Sequence, residues 1–213
     1  ITRIRDASED KERISAVFSL GRKQNTEASP ALYALEAAWL TDRSFDNQAM
    51  NLLDQAIGSH PENTRLRYSR AMLGEKLGDM NLLESDLRYL LKLEPENATA
   101  LNALGYSLTD NTDRHNEALE LIKKALTLKP EDPAILDSMG WAYYHLGNLP
   151  LALQFLQRAY DNFPDSEIAA HLGTVYWAIG DVQRAREIWQ QALERDPESQ
   201  LVKDAISAMQ SDF

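Results

Sequence analysis

Cysteine is absent from this chain of 213 residues. Without thiols, the chain has no disulfide bonds, no thiolate ligands for zinc and no cysteine nucleophile. The absence does not settle the compartment, since cytosolic and exported proteins can both lack cysteine. The sequence also lacks an apolar run of the roughly 18 residues that a bilayer span requires. We therefore expect no membrane span in this stretch of chain.

Positive charge is scarce as well. Lys and Arg number 22 against 33 Asp and Glu, which gives a net charge of -11. Nucleic-acid binding requires a positive surface against the phosphate backbone, so nucleic acid is a poor candidate partner. The simplest interpretation of the acidity is that it keeps the chain soluble.

Motifs that carry catalysis or bind metals are few. The four histidines are His60, His115, His145 and His171. His60 and His115 have no serine or metal ligand at a useful spacing, and His145 and His171 together offer only two ligands, too few for a stable zinc site. Every glycine is explained by a turn or a close contact. Carboxylates are expected at turns and on solvated helix surfaces. We predict a non-catalytic protein that has no cofactor and no metal site.

Prolines recur with a period of about 34 residues, and this spacing organises the whole chain. A proline closes a helix, and the Asn, Asp or Ser that follows it closely can cap the next one. The five prolines are Pro61, Pro95, Pro130, Pro164 and Pro197, and their helix-starting partners are Asn63, Asn97, Asp132, Asp165 and Ser199.

Each period contains two amphipathic helices of roughly 13 residues, because apolar residues recur at spacings of three and four. A break falls midway, at Ser44, Gly78, Thr112, Gly147 and Gly180. Small residues mark where paired helices come closest, and a larger side chain there would cost about 1–3 kcal/mol through overpacking. These are Gly105, Gly140 and Gly173 in first helices, with Ala49, Ala118, Ala152 and Ala185 in second helices.

The stretch Leu136-x-x-Met139-Gly140-x-x-Tyr143, followed by Ala152-x-x-x-Leu156-x-x-Ala159 and Pro164, resembles the tetratricopeptide repeat. The resemblance implies an all-α fold, a superhelical solenoid of antiparallel helix pairs. Five units are expected, at 30–63, 64–97, 98–132, 133–165 and 166–197. The first two are degenerate.

The two ends are expected to be helical as well. Residues 1–29 read as a remnant repeat or cap, with an amphipathic helix over 8–24 whose apolar residues include Ile14, Val17 and Phe18. Residues 198–213 read as a capping helix that covers the last apolar surface of the stack. Its apolar face is predicted to contain Leu201, Val202, Ala205, Ile206 and Met209.

In such stacks the first helix of each unit lines the inner, concave face. Aromatic side chains with a polar group often anchor partners, although each could instead pack between repeats. A protein or extended peptide is therefore the expected ligand. The candidate binding residues are Tyr68, Met72, Asn102, Tyr106, Trp141, Tyr144, His145, His171 and Trp177. The Lys and Asn clamp by which some family members bind a terminal carboxylate is missing from the matching positions.

Three strings resemble a narrower group: 101–110, 132–141 and 169–173. They are similar to the C-terminal half of Gram-negative tetratricopeptide outer-membrane lipoproteins. These lipoproteins act as adaptors for a periplasmic carboxyl-terminal processing protease and help present its cell-wall hydrolase substrates. The resemblance implies a periplasmic location, with the lipid anchor upstream of Ile1. Two alternatives stay open: a cytoplasmic repeat module, and the interaction region of a larger enzyme. The sequence leaves the oligomeric state open.

Overall fold

The computed structural model describes residues 2–210, and these fold into twelve α-helices without a strand. The predicted all-α class is confirmed. None of the helices in the described part is long and apolar enough to cross a membrane. The helices are α1 Thr2–Gln24, α2 Ser29–Thr41, α3 Asp46–Ser59, α4 Thr64–Lys76, α5 Met80–Leu93, α6 Ala98–Asn111, α7 His115–Leu128, α8 Pro133–His145, α9 Leu149–Asn162, α10 Ser166–Ala178, α11 Val182–Arg195 and α12 Gln200–Gln210.

The chain divides into two compact units, one ending at Pro95 and the other beginning at Glu96. In the first unit α2 pairs with α3 and α4 pairs with α5, while α1 packs on α2. In the second unit the pairs are α6 with α7, α8 with α9 and α10 with α11, and α12 packs on α10 and α11. Each of the five repeat intervals therefore contains one helix pair, linked by a short turn.

The helix starts and turns follow local backbone chemistry. Asn63, Asn97 and Asp165 each accept a hydrogen bond from a free N–H of the following helix, at 2.9–3.0 Å. Such caps satisfy donors that have no partner inside the helix. The turn at Gly147 has a φ of +74°, a conformation that side chains with a β carbon rarely adopt. The predicted caps at Asn63, Asn97 and Asp165 and the glycine turn at Gly147 are therefore confirmed, whereas Ser44 adopts a positive φ of 60° without being glycine.

Paired helices approach each other where the small residues lie. A β carbon added at Gly140 would stand 2.5 Å from Leu156 Cγ and 3.0 Å from the carbonyl oxygen of Ala152. The same addition at Gly105 would meet Ile122, again at 2.5 Å. These distances are too short for real carbon contacts, so the predicted close approach is confirmed.

Three carboxylates contradict the expectation that acidic groups lie on solvated surfaces. Glu36, Asp86 and Asp137 expose only 3%, 0% and 4% of their surface. Asp86 accepts hydrogen bonds from Arg67 Nη1 at 2.9 Å and from Arg70 Nε at 2.7 Å. A charge can be buried in this way only when cations and hydrogen bonds compensate it, and the repeat pattern carries no sign of that pairing.

In both terminal helices, some residues of the predicted apolar face are exposed to solvent. Helix α1 begins at Thr2 rather than near residue 8, and Val17, one of the apolar residues of the predicted amphipathic helix, is 67% exposed. Helix α1 packs on α2, so a single neighbour covers only a narrow stripe of its surface. In α12, Val202 is buried while Leu201 is 54% exposed, because Leu201 lies about 100° away around the helix. Residues 211–213 of the predicted cap lie outside the described residues.

Replacing Gly140 with Ala should lower the free energy of unfolding by about 1–3 kcal/mol, because the new methyl group overlaps Leu156. Thermal unfolding followed by circular dichroism measures the effect. Gly58 is the matched control, since it lies in α3 with no atom within 4 Å of an added β carbon. Gly58→Ala should leave the melting temperature unchanged or raise it slightly. Equal effects at the two glycines would contradict the packing described.

Replacing Asp86 with Ala should lower the free energy of unfolding by about 3–5 kcal/mol, because two partly buried arginines lose their partner. Urea titration measures this loss. Asp54 also pairs with Arg70, but its side chain is 52% exposed. Asp54→Ala should therefore cost less than about 1 kcal/mol. A loss at Asp86 as small as that at Asp54 would show that the buried pair is not a strong constraint.

Candidate functional site

The nine predicted binding residues all lie on first helices of the helix pairs. Tyr68 and Met72 are on α4 of the first unit, and the other seven are on α6, α8 and α10 of the second unit. Helix α8 contacts both α6 and α10, so these three helices form one surface, which we call the first-helix face. It contains Asn102, Tyr106, Trp141, Tyr144, His145, His171 and Trp177.

In the first unit, Tyr68 and Met72 line a cavity of about 260 Å³ between α2 and α4. Ala34 and Ala38 form part of the opposite wall, and their small side chains leave the space open. Burial, and then the charge of Glu75, raises the pKa of the Tyr68 hydroxyl, so this group stays protonated. The cavity thus offers apolar walls with one hydroxyl group.

In the second unit, five of the predicted residues form a continuous cluster of rings. The Trp141 ring stacks with His171 at 4.0 Å between centroids and with Tyr144 at 4.9 Å. His145 meets Trp141 edge-on at 4.8 Å, and Tyr106 lies 6.2 Å from His171. We call these five residues the ring cluster. The ring cluster thus joins side chains from three successive first helices, α6, α8 and α10.

Two carboxylates hold the ring cluster in place. The indole Nε1 of Trp141 donates to Asp110 at 3.3 Å, and the hydroxyl of Tyr106 donates to Glu167 at 2.8 Å. Asp110 is exposed and Glu167 is half-buried. Burial, followed by the charge of Glu167, raises the pKa of Tyr106, so it stays a hydrogen-bond donor. The rings therefore have fixed orientations.

One ring of the cluster, His171, forms a buried ion pair with Asp137. His171 Nδ1 is 3.0 Å from both carboxylate oxygens of Asp137, and His171 is only 8% exposed. Burial alone lowers the pKa of His171 and is the largest single effect. The Asp137 carboxylate, helped by Glu167 and Asp110, outweighs it and raises the pKa above the ordinary histidine value. The protonated ring therefore faces Asp137 on one side of the cluster.

Asp137, Glu167 and His171 also place three potential metal-ligand atoms within 4.8 Å of one another. Their positions are accounted for without an ion, because His171 binds Asp137 and Glu167 accepts from Tyr106. The three side chains therefore form a hydrogen-bonded network.

His145 has a different electrostatic environment from His171. Burial, together with the neighbouring His115 ring at 5.1 Å, lowers the pKa of His145, although Asp110 opposes the shift. This imidazole is therefore neutral at physiological pH. Although part of the His145 ring is buried, the residue as a whole is exposed to solvent, where it contributes a polar edge without positive charge.

Asn102 and Trp177 lie outside the ring cluster as defined. The side-chain oxygen of Asn102 is buried and accepts no hydrogen bond from the described residues. Trp177 lies 5.9 Å from Trp189 and lines a cavity of about 400 Å³ together with Leu193 and Ile206. The Trp177 ring thus packs toward α11 and the terminal helix.

Sequence reasoning missed the polar half of this site. Asp110, His115, Asp137 and Glu167 are not among the binding residues predicted from the sequence. One signal was available: Asp137 and His171 are 34 residues apart, which is one repeat period. Such a spacing places two side chains on neighbouring first helices at nearly the same height.

The His171 ion pair makes stability depend on pH with a defined sign. Because the folded pKa is raised, protonated His171 stabilises the fold fully below a pH of about 6.5. This contribution is lost as the pH rises through the folded pKa. The melting temperature of the parent, minus that of His171→Gln, should therefore fall between mildly acidic and alkaline pH. A difference that stays constant with pH would show that the pair is not charged.

Sequence models of the tetratricopeptide repeat match residues 84–133, 112–172 and 171–199. Together they run from 84 to 199, more than half of the chain. A TPR repeat-containing protein of Pseudomonas aeruginosa is 45% identical over 151 residues, which are 71% of this chain and 26% of that protein. The chain thus spans about a quarter of the length of this relative.

Solved structures agree in fold. A thermophilic TPR protein of Thermus thermophilus superposes with a TM-score of 0.73 at 20% identity, covering 84% of this chain and 98% of the other. The APC/C hetero-tetramer Cut9-Hcn1 gives a TM-score of 0.79 at 15% identity, covering 95% of this chain and 40% of that chain. With its helix pairs, seams and repeat period, the chain belongs to the tetratricopeptide repeat proteins.

Proposed function

We propose that this chain is a non-catalytic scaffold that binds another protein through the first-helix face of its second unit. The observation that carries the proposal is the ring cluster, in which Trp141 stacks with both Tyr144 and His171. Tetratricopeptide repeats support a role in protein–protein interaction. An extended segment of the partner lies across α6, α8 and α10 and contacts the rings in turn.

The fixed orientation of the rings favours binding. Tyr106 and Trp141 are both held by hydrogen bonds to carboxylates, so they lose little freedom when a partner arrives. Binding surfaces that are ordered in advance avoid part of the entropy cost of association. Tyr144 and Trp141 are half-buried, which leaves part of each ring for a partner.

For the partner, we propose a periplasmic carboxyl-terminal processing protease, with its cell-wall hydrolase substrates. This rests on the similarity of 101–110, 132–141 and 169–173 to the adaptor lipoproteins. The corresponding location is the periplasm, with the full-length protein anchored to the outer membrane. A cytoplasmic repeat module and the interaction region of a larger enzyme remain the competing hypotheses.

Tyr144→Ala should weaken binding to the processing protease by more than about tenfold, since losing an aromatic anchor commonly costs about 2 kcal/mol. Biolayer interferometry with the purified protease measures the affinity. The melting temperature should change little. Tyr143→Ala should do the reverse, because Tyr143 stacks on Phe155 at 5.7 Å within the helix pair and serves stability.

Gln154→Ala provides a control on the other helix of the same pair, since Gln154 is exposed on α9. It should leave both affinity and melting temperature unchanged. If Tyr144→Ala folds normally and binds as tightly as the parent, the partner does not use the ring cluster. If the parent binds a different envelope protein but not the protease, the scaffold role stands and the protease assignment is wrong.

A further inference from the structure

Basic residues are absent from the three helices of the first-helix face. Helices α6, α8 and α10 contain no Lys or Arg, while every second helix of the same unit contains at least one. The second-helix residues are Lys123 and Lys124 on α7, Arg158 on α9, and Arg184, Arg186 and Arg195 on α11. The lysines and arginines of these six helices thus all lie outside the three helices that carry the ring cluster.

Several of these cations are already engaged with nearby acids. Lys123 pairs with Glu120 at 2.8 Å, and Arg158 pairs with Glu131 at 2.8 Å. Asp110 and Glu167, by contrast, have no Lys or Arg partner within the described residues. Their hydrogen-bond donors are the neutral Trp141 and Tyr106. The negative charge of these two carboxylates is therefore not cancelled by an ion pair.

No other group on the described part of the face supplies a compensating charge. His171 is positive but buried, and Asp137 balances it at 3.0 Å. His145 is neutral because burial and His115 lower its pKa, and Tyr106 stays protonated because burial and Glu167 raise its pKa. The first-helix face therefore combines an uncompensated negative charge with stacked rings.

Each of the two carboxylates is joined to a ring. Asp110 holds Trp141, and Glu167 holds Tyr106. A guanidinium group suits such a surface, because it donates to carboxylates and stacks on aromatic rings at the same time. An ammonium group can do the same with less directional hydrogen bonds.

From this arrangement we infer that the first-helix face binds an extended protein segment that carries arginine or lysine side chains. The inference rests on the proposed function and specifies the chemistry of the partner. Acidic segments and free terminal carboxylates are disfavoured, since the face offers them no cation. Among basic segments, arginine should bind more tightly than lysine.

The test uses the full chain and a fluorescein-labelled peptide in which arginine alternates with alanine and serine. Matching peptides contain lysine or glutamate in place of arginine. Fluorescence anisotropy should show the arginine peptide binding most tightly and the glutamate peptide most weakly. Raising the salt concentration should weaken binding of the arginine peptide, because the contacts are partly solvated. Equal affinity for the arginine and glutamate peptides would overturn the inference.

The variants Asp110→Asn and Glu167→Gln remove charge and keep an oxygen acceptor for the ring partner. Each should weaken binding of the arginine peptide by about threefold to tenfold. The matched control is Glu187→Gln, which makes the same charge change at an exposed residue of α11. If the control weakens binding as much as Glu167→Gln, the overall acidity of the chain is responsible and the inference falls.

The two proposals can fail separately. If Tyr144→Ala weakens protease binding but Asp110→Asn and Glu167→Gln together leave both the protease and the arginine peptide bound as in the parent, the scaffold stands and the inference is wrong. If binding of the arginine peptide depends on these carboxylates but Tyr144→Ala leaves the affinity for the protease unchanged, the site for basic segments is supported and the proposed docking of the protease is wrong.

Discussion

The distance between paired helices is the constraint on which the binding surface depends. At Gly140 the backbone of α8 approaches α9 so closely that a β carbon does not fit. This contact fixes the rotation of α8 about its axis. Asp137, Trp141 and Tyr144, spaced four and three residues apart, then lie along one stripe of the helix. At Gly173 on α10 the indole ring of Trp189 occupies the space that a β carbon would take, and His171 of the same helix reaches Asp137 on that stripe.

Buried charge then determines how the stripe is ordered. Desolvating Asp137 and His171 is costly, and such a pair adds little net stability compared with apolar residues of the same size. Its value lies in orientation, because the Asp137 carboxylate holds the imidazole 4.0 Å from the Trp141 ring. In the first unit, Asp86 plays a comparable part between α4 and α5 by binding Arg67 and Arg70. Helices α4 and α5 are thereby held together by polar contacts as well as by apolar packing.

Much of the backbone could be predicted from the sequence, since proline spacing and small residues act locally. The polar contacts could not be predicted from the sequence. The repeat period places Asp137 and His171 at similar positions along neighbouring first helices, but it does not determine where their side chains point. Equivalent positions also acquire different neighbours: Tyr144 stacks on Trp141, whereas Trp177 packs near Trp189 and Ile206. The exposure of Val17 could not be predicted either, because an amphipathic pattern does not reveal how many helices will cover the apolar face.

Among the paired helices of the second unit, lysine and arginine side chains lie on second helices and not on first helices, so the negative charge of the chain is not neutralised on the first-helix face. Lys123 and Arg158 pair with acids beside the second helices, so they do not neutralise Asp110 or Glu167 across the repeat. An uncompensated negative surface attracts cationic segments over about a Debye length, roughly 8–10 Å, and repels anionic ones. Stacking on the rings acts only at contact. Charge therefore selects which segments arrive, and the fixed rings determine which of them stay.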